Sequence, residues 1–196
     1  MTTTPNQTVL TTVDWSAIPA PEDDGAMAGL AGKPLPAVVL PATDGRQIDL
    51  SRQSGRVVIY GYPMTGRPGV ALPDGWDSIP GARGCTPQSC AFRDHHDELA
   101  REGVAAVFGI STQDSDYQRE ARERLHLPFP LLSDATLAFA HAAGIPTFTA
   151  EGRTLLKRFA LVADDGVVTA VFYPVFPPDQ NAEQVLVWLR ANPRLA

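Results

Sequence analysis

Apolar residues in this chain gather into short β-branched and aromatic runs separated by stretches of helical spacing. Arg56–Tyr62 (RVVIYGY) is a continuous run of the kind a buried strand shows, and Val104–Ile110 is a second. Ala37–Leu40 and Arg46–Leu50 flank Asp44-Gly45, while Phe159–Ala163 and Val167–Phe172 flank Asp164-Asp165-Gly166. Each pair predicts a β-hairpin around a favourable turn. The spacing predicts helices over Cys90–Arg101, where Phe92 and Leu99 share a face, and over Asp116–Leu125, with Tyr117, Ala121 and Leu125 on one stripe and Ser115 or Asp114 as cap. Ala135–Ala143 stops at Gly144 with Pro146 beyond, and Asn181–Ala191 turns Val185, Leu186 and Leu189 inward, with Asn181 and Gln184 resembling a capping box.

The element order is hairpin, strand, helix, strand, helix, helix, hairpin, helix. Helical crossovers between the early strands imply parallel neighbours, and the late hairpin adds antiparallel ones. The expectation is an α/β domain: a mixed central sheet with helices on both faces and an N-terminal hairpin, over residues 33–196. Residues 1–32 are polar, rich in breakers and poor in periodicity, and read as an N-terminal arm. Trp15 and Ile18 either dock this arm on the body or belong to a frayed terminus.

Composition narrows the class. A chain of 196 residues with 44% hydrophobic positions is long enough for one core and too apolar to be disordered. No apolar run reaches the roughly eighteen residues of a membrane span, and MTTTPNQTVLTTVDW has neither a basic nor an apolar leader region, so a cytoplasmic chain is expected. A formal net charge of -6 and a pI near 5.1 disfavour nucleic-acid and anionic-membrane partners.

Two features remain for chemistry. Met64–Gly84 (MTGRPGVALPDGWDSIPGARG) has no period and many Gly and Pro, and a long structureless loop inside a domain is usually functional. It ends at Cys85, in GCTPQSC, just before a helix whose first turn Pro87 suits. Unpaired backbone N–H groups and the helix dipole favour a thiolate at such a place, although many cysteines are only small buried hydrophobes. Cys90 lies five residues on, about 140° around an ideal helix and ~7.5 Å along it. That separation disfavours a static disulfide across an intact helix, and leaves a transient one open if the first turn and a half unwinds. No Cys-x-x-Cys exists, and adjacent His95 and His96 point to different faces, so no metal or other cofactor is expected. The two histidines read as surface or partly packed residues.

Gly84–Asp94 (GCTPQSCAFRD) resembles the active-site segment of the peroxiredoxin Q, or bacterioferritin comigratory protein, group, which shows Gly-Cys-Thr, a second Cys five residues after the first, and Phe-Arg-Asp. Tyr62-Pro63, Val107–Ser111 (VFGIS) and Leu127–Asp134 (LPFPLLSD) are similar to further signatures of that group, in the same order. The resemblance implies a thioredoxin-like fold and a thiol peroxidase. Cys85 would attack the peroxide and become a sulfenic acid, and Cys90 would condense with it to a disulfide. A thioredoxin- or glutaredoxin-like donor would then reset the pair, in a monomer or homodimer. Tyr62, Pro63 and Thr86 would shape the substrate site. Arg158, ahead of Phe159–Asp164 (FALVAD), matches an Arg that the group places beside the thiolate, with Lys157 as the one-residue alternative.

The sequence departs from the group at its usual Thr three residues before the cysteine, where Ala82 stands. Thr65 is the candidate to return a hydroxyl to the site. Trp76 in the loop either caps the substrate pocket or anchors the loop. Two other readings compete: a thioredoxin-like thiol–disulfide oxidoreductase, which normally needs Cys-x-x-Cys, and a redox-sensing module. Peroxide consumption with a dithiol reductant separates the first reading from both.

Overall fold

The computed structural model describes residues 13–194. The chain enters through β1 (Val39–Pro41) and β2 (Gln47–Asp49), an antiparallel hairpin, and then runs through the centre of the molecule as β3 (Arg56–Gly61). After the long loop come α1 (Cys85–Asp94), α2 (His96–Arg101), β4 (Val104–Ser111), α3 (Ser115–Arg124), β5 (Leu131–Ser133) and α4 (Ala138–Ala143). A second small hairpin, β6 (Thr147–Ala150) and β7 (Arg153–Leu156), precedes β8 (Phe159–Asp164), β9 (Val167–Phe172) and α5 (Asn181–Ala191).

The main sheet has the order β5-β4-β3-β8-β9. β3 and β4 are parallel, as are β4 and β5, whereas β8 pairs antiparallel with both β3 and β9. Every residue of β3 is buried, because both faces of the central strand are covered. Val57 and Ile59 face a cluster with the first hairpin and α4; Val58 and Tyr60 face Phe92 of α1, Leu99 of α2 and Leu186 of α5. The expected mixed sheet with helices on both faces is therefore the observed one. In the β8–β9 turn, Asp165 and Gly166 both adopt positive φ, the geometry that suits a tight hairpin.

Several expectations are corrected. The helix predicted from Cys90 begins at Cys85, one and a half turns earlier, and breaks at His95 into α1 and α2. The helix predicted from Ala135 begins at Ala138, because Leu137 takes φ 60° and the Asp134 carboxylate accepts from the N–H groups of Phe139 and Ala140. Asn181 forms no capping box with Gln184: it is the first residue of α5, is buried, and turns its side chain toward α1. β5 and the β6–β7 hairpin lie outside the predicted elements. The β6–β7 turn puts Glu151 at φ 47° beside Gly152, and Glu is a residue type that seldom signals such a turn.

Residues 13–32 run over the body. Met27 and Leu30 are buried in the main core, and Trp15 donates from its indole N–H to Asp179 at 2.8 Å. Ile18 is half-buried. The long loop packs too: Met64, Trp76, Ala82, Ala150 and Leu155 form a small core between the loop and β6–β7. No helix among the described residues is long and apolar enough to cross a membrane.

Candidate active site

The site is built on the first turn of α1. Gly84 caps that helix at φ +107°, a conformation open to glycine and strained for other residues. It also has no room for a side chain, since a Cβ there would lie 2.5 Å from Pro178 and 2.9 Å from the Trp15 ring. Cys85 follows as the first helical residue, 4% exposed, in the turn whose backbone N–H groups lack intrahelical acceptors.

Arg158, just ahead of β8, meets Cys85 from the sheet side. Its side chain is buried, and Nη2 lies 3.3 Å from Cys85 Sγ. The same nitrogen lies 3.2 Å from the carbonyl oxygen of Gly81 and 3.1 Å from those of Ala82 and Arg83, while Nη1 donates to Gln88 Oε1. Nη2 thus has four acceptors for two hydrogens, so sulfur competes with carbonyls for it. The Cys85 thiol in turn donates to the Ala82 carbonyl at 3.6 Å. Loss of the thiol proton removes that bond and makes the sulfur the stronger acceptor for the guanidinium. Among the described residues no carboxylate lies in salt-bridge range of Arg158. A deprotonated Cys85 is the counter-ion this buried cation lacks. Lys157 is not the alternative: its Nζ is 2.6 Å from Asp24 in a surface ion pair.

A cavity of about 400 Å³ opens onto Cys85 and Thr86. Met64, Val70, Leu72 and Trp76 of the loop supply its apolar wall, so Trp76 both lines the cavity and anchors the loop. Arg67 and Arg124 border it, but both lean on Glu120 of α3, Arg124 at 2.6 Å and Arg67 at 3.8 Å. A cavity of about 420 Å³ on the arm side of Arg158 does not reach Cys85.

Of the remaining predicted site residues, Tyr62 is fully buried in the same cluster as Cys85, and burial pushes its phenol well above the usual range. Pro63 is buried beside it; neither lines the cavity. Thr65 is a correction. Its hydroxyl, buried in the loop, meets Gln113 Oε1 at 3.2 Å and its N–H donates to the same oxygen at 2.9 Å. It ties the loop to the end of β4 rather than serving the sulfur. Ala82 offers the site its backbone carbonyl, which accepts from the Cys85 thiol.

Cys85 and Cys90 are both free thiols on one intact helix. Cys90 is half-buried, and burial pushes its thiol up, opposed by nearby Arg93. Arg93 also donates to the Leu125 carbonyl at 2.8 Å, pinning α1 to the end of α3. His95 meets Glu98 at 2.9 Å and His96 leans on Phe129, so both histidines serve packing. No cluster of three or more His, Cys, Asp or Glu among the described residues is placed to hold a metal ion.

Two buried polar residues have roles that the sequence does not assign, although Gln88 matches the Glu or Gln that the resemblance allows at its position. Gln88 holds Arg158, and Gln88 in turn donates to Asn181 Oδ1 at 2.9 Å. For Gln88 a signal existed, since residues three apart share a helix face with Cys85. For Asn181, ninety-three positions further on, there was none.

The Redoxin family model matches residues 30–186. A chloroplastic peroxiredoxin Q from Suaeda salsa is 34% identical over 82% of this chain and 67% of its own length. The peroxiredoxin Bcp of Escherichia coli is 32% identical over 83% of this chain and 96% of its own. The solved structure of the peroxidoxin BcpB from Mycobacterium tuberculosis superposes with a TM-score of 0.67 at 30% identity, covering 83% of this chain and 97% of that one. The matched region thus spans about two thirds of the plant protein and nearly all of the bacterial ones.

Proposed function

The chain belongs to the redoxin family, in its peroxiredoxin Q and Bcp branch, and from that premise we propose that it reduces hydroperoxides through Cys85 and Cys90. The observation that carries the reading is the contact between Arg158 Nη2 and Cys85 Sγ, a sulfur that also lines the loop-walled cavity. The Cys85 thiolate attacks one oxygen of the O–O bond. That oxygen stays on sulfur as a sulfenic acid, and the other leaves as alkoxide or hydroxide, which takes up a proton. Arg158 Nη2, with four acceptors for two hydrogens, can pass an N–H from a loop carbonyl to the peroxide oxygen as charge develops.

Apolar loop residues face the entrance, and Glu120 engages its two arginines, which favours neutral hydroperoxides, hydrogen peroxide or small organic ones. The second half of the cycle is the condensation of the sulfenic acid with the Cys90 thiol, releasing water and forming the disulfide. A thioredoxin- or glutaredoxin-like dithiol then restores both thiols and becomes a disulfide itself. The cytoplasm is our proposed compartment, because both cysteines must return to the thiol state in every cycle.

The test is peroxide consumption with a dithiol donor. Cys85→Ser should abolish it. Cys90→Ser should still consume one equivalent but lose turnover, with Cys85 trapped as sulfenic or over-oxidised acid. Retention of most activity by Cys85→Ser would sink the assignment. Absence of a Cys85–Cys90 disulfide in peroxide-treated wild type would remove Cys90 as the resolving residue.

A further inference from the structure

Gln88 stands between the two cysteines on α1, fully buried, and its one amide holds two different elements. Oε1 accepts from Arg158 Nη1, and Nε2 donates to Asn181 Oδ1 at 2.9 Å. Asn181 is fully buried at the start of α5, and its Nδ2 has no hydrogen-bond partner. A buried amide with an orphaned donor is a poor choice for stability alone, where an apolar side chain of similar size serves better. The chain of contacts Cys85–Arg158–Gln88–Asn181 therefore links the reactive sulfur to a helix that takes no part in the chemistry.

The consequence rests on the reading that Cys85 and Cys90 join. An intact helix holds their Cα atoms roughly 8–9 Å apart, beyond the reach of a disulfide. The segment from Cys85 to Cys90 must unwind, and Gln88 lies inside it. Its bonds to Arg158 and Asn181 cannot both survive that change. We propose that Asn181 is a positioning residue that latches α1: through Gln88 it keeps the helix wound and the sulfenic acid on Arg158, and so sets how fast Cys90 reaches it. The latch also sets exposure to a second peroxide, which converts the waiting sulfenic acid to a sulfinic acid with release of one alcohol or water.

The test follows the peroxide-independent, first-order appearance of the Cys85–Cys90 disulfide in the full chain, by mixing with hydrogen peroxide, quenching with a thiol-alkylating reagent and weighing the products. Asn181→Ala should speed this phase about fivefold, the weight of one buried neutral hydrogen bond in the wound–unwound equilibrium. The peroxide concentration that over-oxidises half of Cys85 should rise in proportion. Asn181→Asp keeps the acceptor and should stay at or below the wild-type rate. Gln88→Glu gives Arg158 a carboxylate and, with the Asn181 amide turned over, gives Nδ2 an acceptor in place of the lost Oδ1 contact. It should slow the phase, and this reading stands even where Asn181→Ala fails to fold. Unchanged disulfide rates in both Asn181→Ala and Gln88→Glu would overturn the latch while leaving the peroxidase reading intact. A wild type that forms no such disulfide would overturn the reading beneath it.

Discussion

Arg158→Lys keeps the positive charge and removes the fork, which makes it the sharpest probe of the site. The guanidinium spans from Gln88 Oε1 on one side to Cys85 Sγ, at 3.3 Å, on the other, with loop carbonyls between them. An ammonium presents its three donors from a single point and cannot cover both ends. One charge-assisted hydrogen bond to the sulfur is worth roughly 1.5–3 kcal/mol, which is about ten- to a hundredfold in rate. Loss of a donor to the peroxide oxygen in the transition state acts in the same direction, by about a hundredfold or more for a preorganised donor. The expected outcome is a second-order rate constant for reduced Cys85 with hydrogen peroxide about a hundredfold below wild type, measured by stopped-flow competition.

Arg158→Ala should be slower still. It should also lose a few kcal/mol of stability, because Gln88 Oε1 and the carbonyls of residues 81–83 each lose a donor in a buried place. Lys157→Ala is the control. Its ammonium is committed to Asp24 at the surface, so its rate should stay within twofold of wild type. A rate for Arg158→Lys within threefold of wild type would refute the argument, since charge alone would then suffice and the fork would be dispensable.

Two further outcomes follow from the geometry. Gly84→Ala must place a side chain at φ +107° and within 2.5 Å of Pro178, so it should cost about 2–4 kcal/mol; an unchanged denaturant midpoint would show that the cap relaxes freely. Asp24, held by Lys157 first and by Tyr173 next, has its carboxyl lowered to about 2. A depressed acid contributes above its unfolded value near 4 and loses that contribution as pH falls through about 2. The difference in unfolding midpoint between wild type and Asp24→Asn should be full at neutral pH, shrink below about pH 4 and vanish near 2; a constant difference would show that the arm is held without this carboxylate.

The parts of the fold legible in the sequence are those fixed by local chemistry. β3 is read from its unbroken apolar run because both its faces are covered, and the β8–β9 hairpin from a turn whose residues tolerate positive φ. Cys85 is legible because a cysteine at a helix start after a Gly-rich loop has a physical reason to be reactive, whereas Arg158 is reached only through the resemblance to the peroxiredoxin Q group, which left Lys157 as an alternative. The helix start at Cys85 was partly hidden: Pro87 and Cys90 suggest it, but apolar periodicity begins only at Cys90. Asn181 was read by its neighbours in sequence as a cap, whereas its partner is Gln88 on another helix. A side chain's long-range partner leaves no local trace.

The loop shows most clearly where such reading runs out. Lacking period and full of breakers, Met64–Gly84 reads as a wall or lid of the pocket that returns Thr65 to the sulfur. It does wall the cavity, but two anchors far apart in the chain hold it, and one of them takes Thr65. Gln113 binds both the N–H and the hydroxyl of Thr65, and it returns its own amide to the Thr65 carbonyl at 3.1 Å. Trp76, 4% exposed, fills a small core with Phe148 and Leu155 from the β6–β7 hairpin. Neither anchor can be inferred from residues 64–84 alone, since one depends on the end of β4 and the other on a hairpin with an atypical turn. Their effect is to offer the carbonyls of residues 81–83 to Arg158 as a fixed row. A backbone row has no side chain to read. Carbonyls accept but do not donate, so the donors left for an oxygen at Cys85 are Arg158, the first N–H groups of α1 and the Thr86 hydroxyl, which lines the cavity.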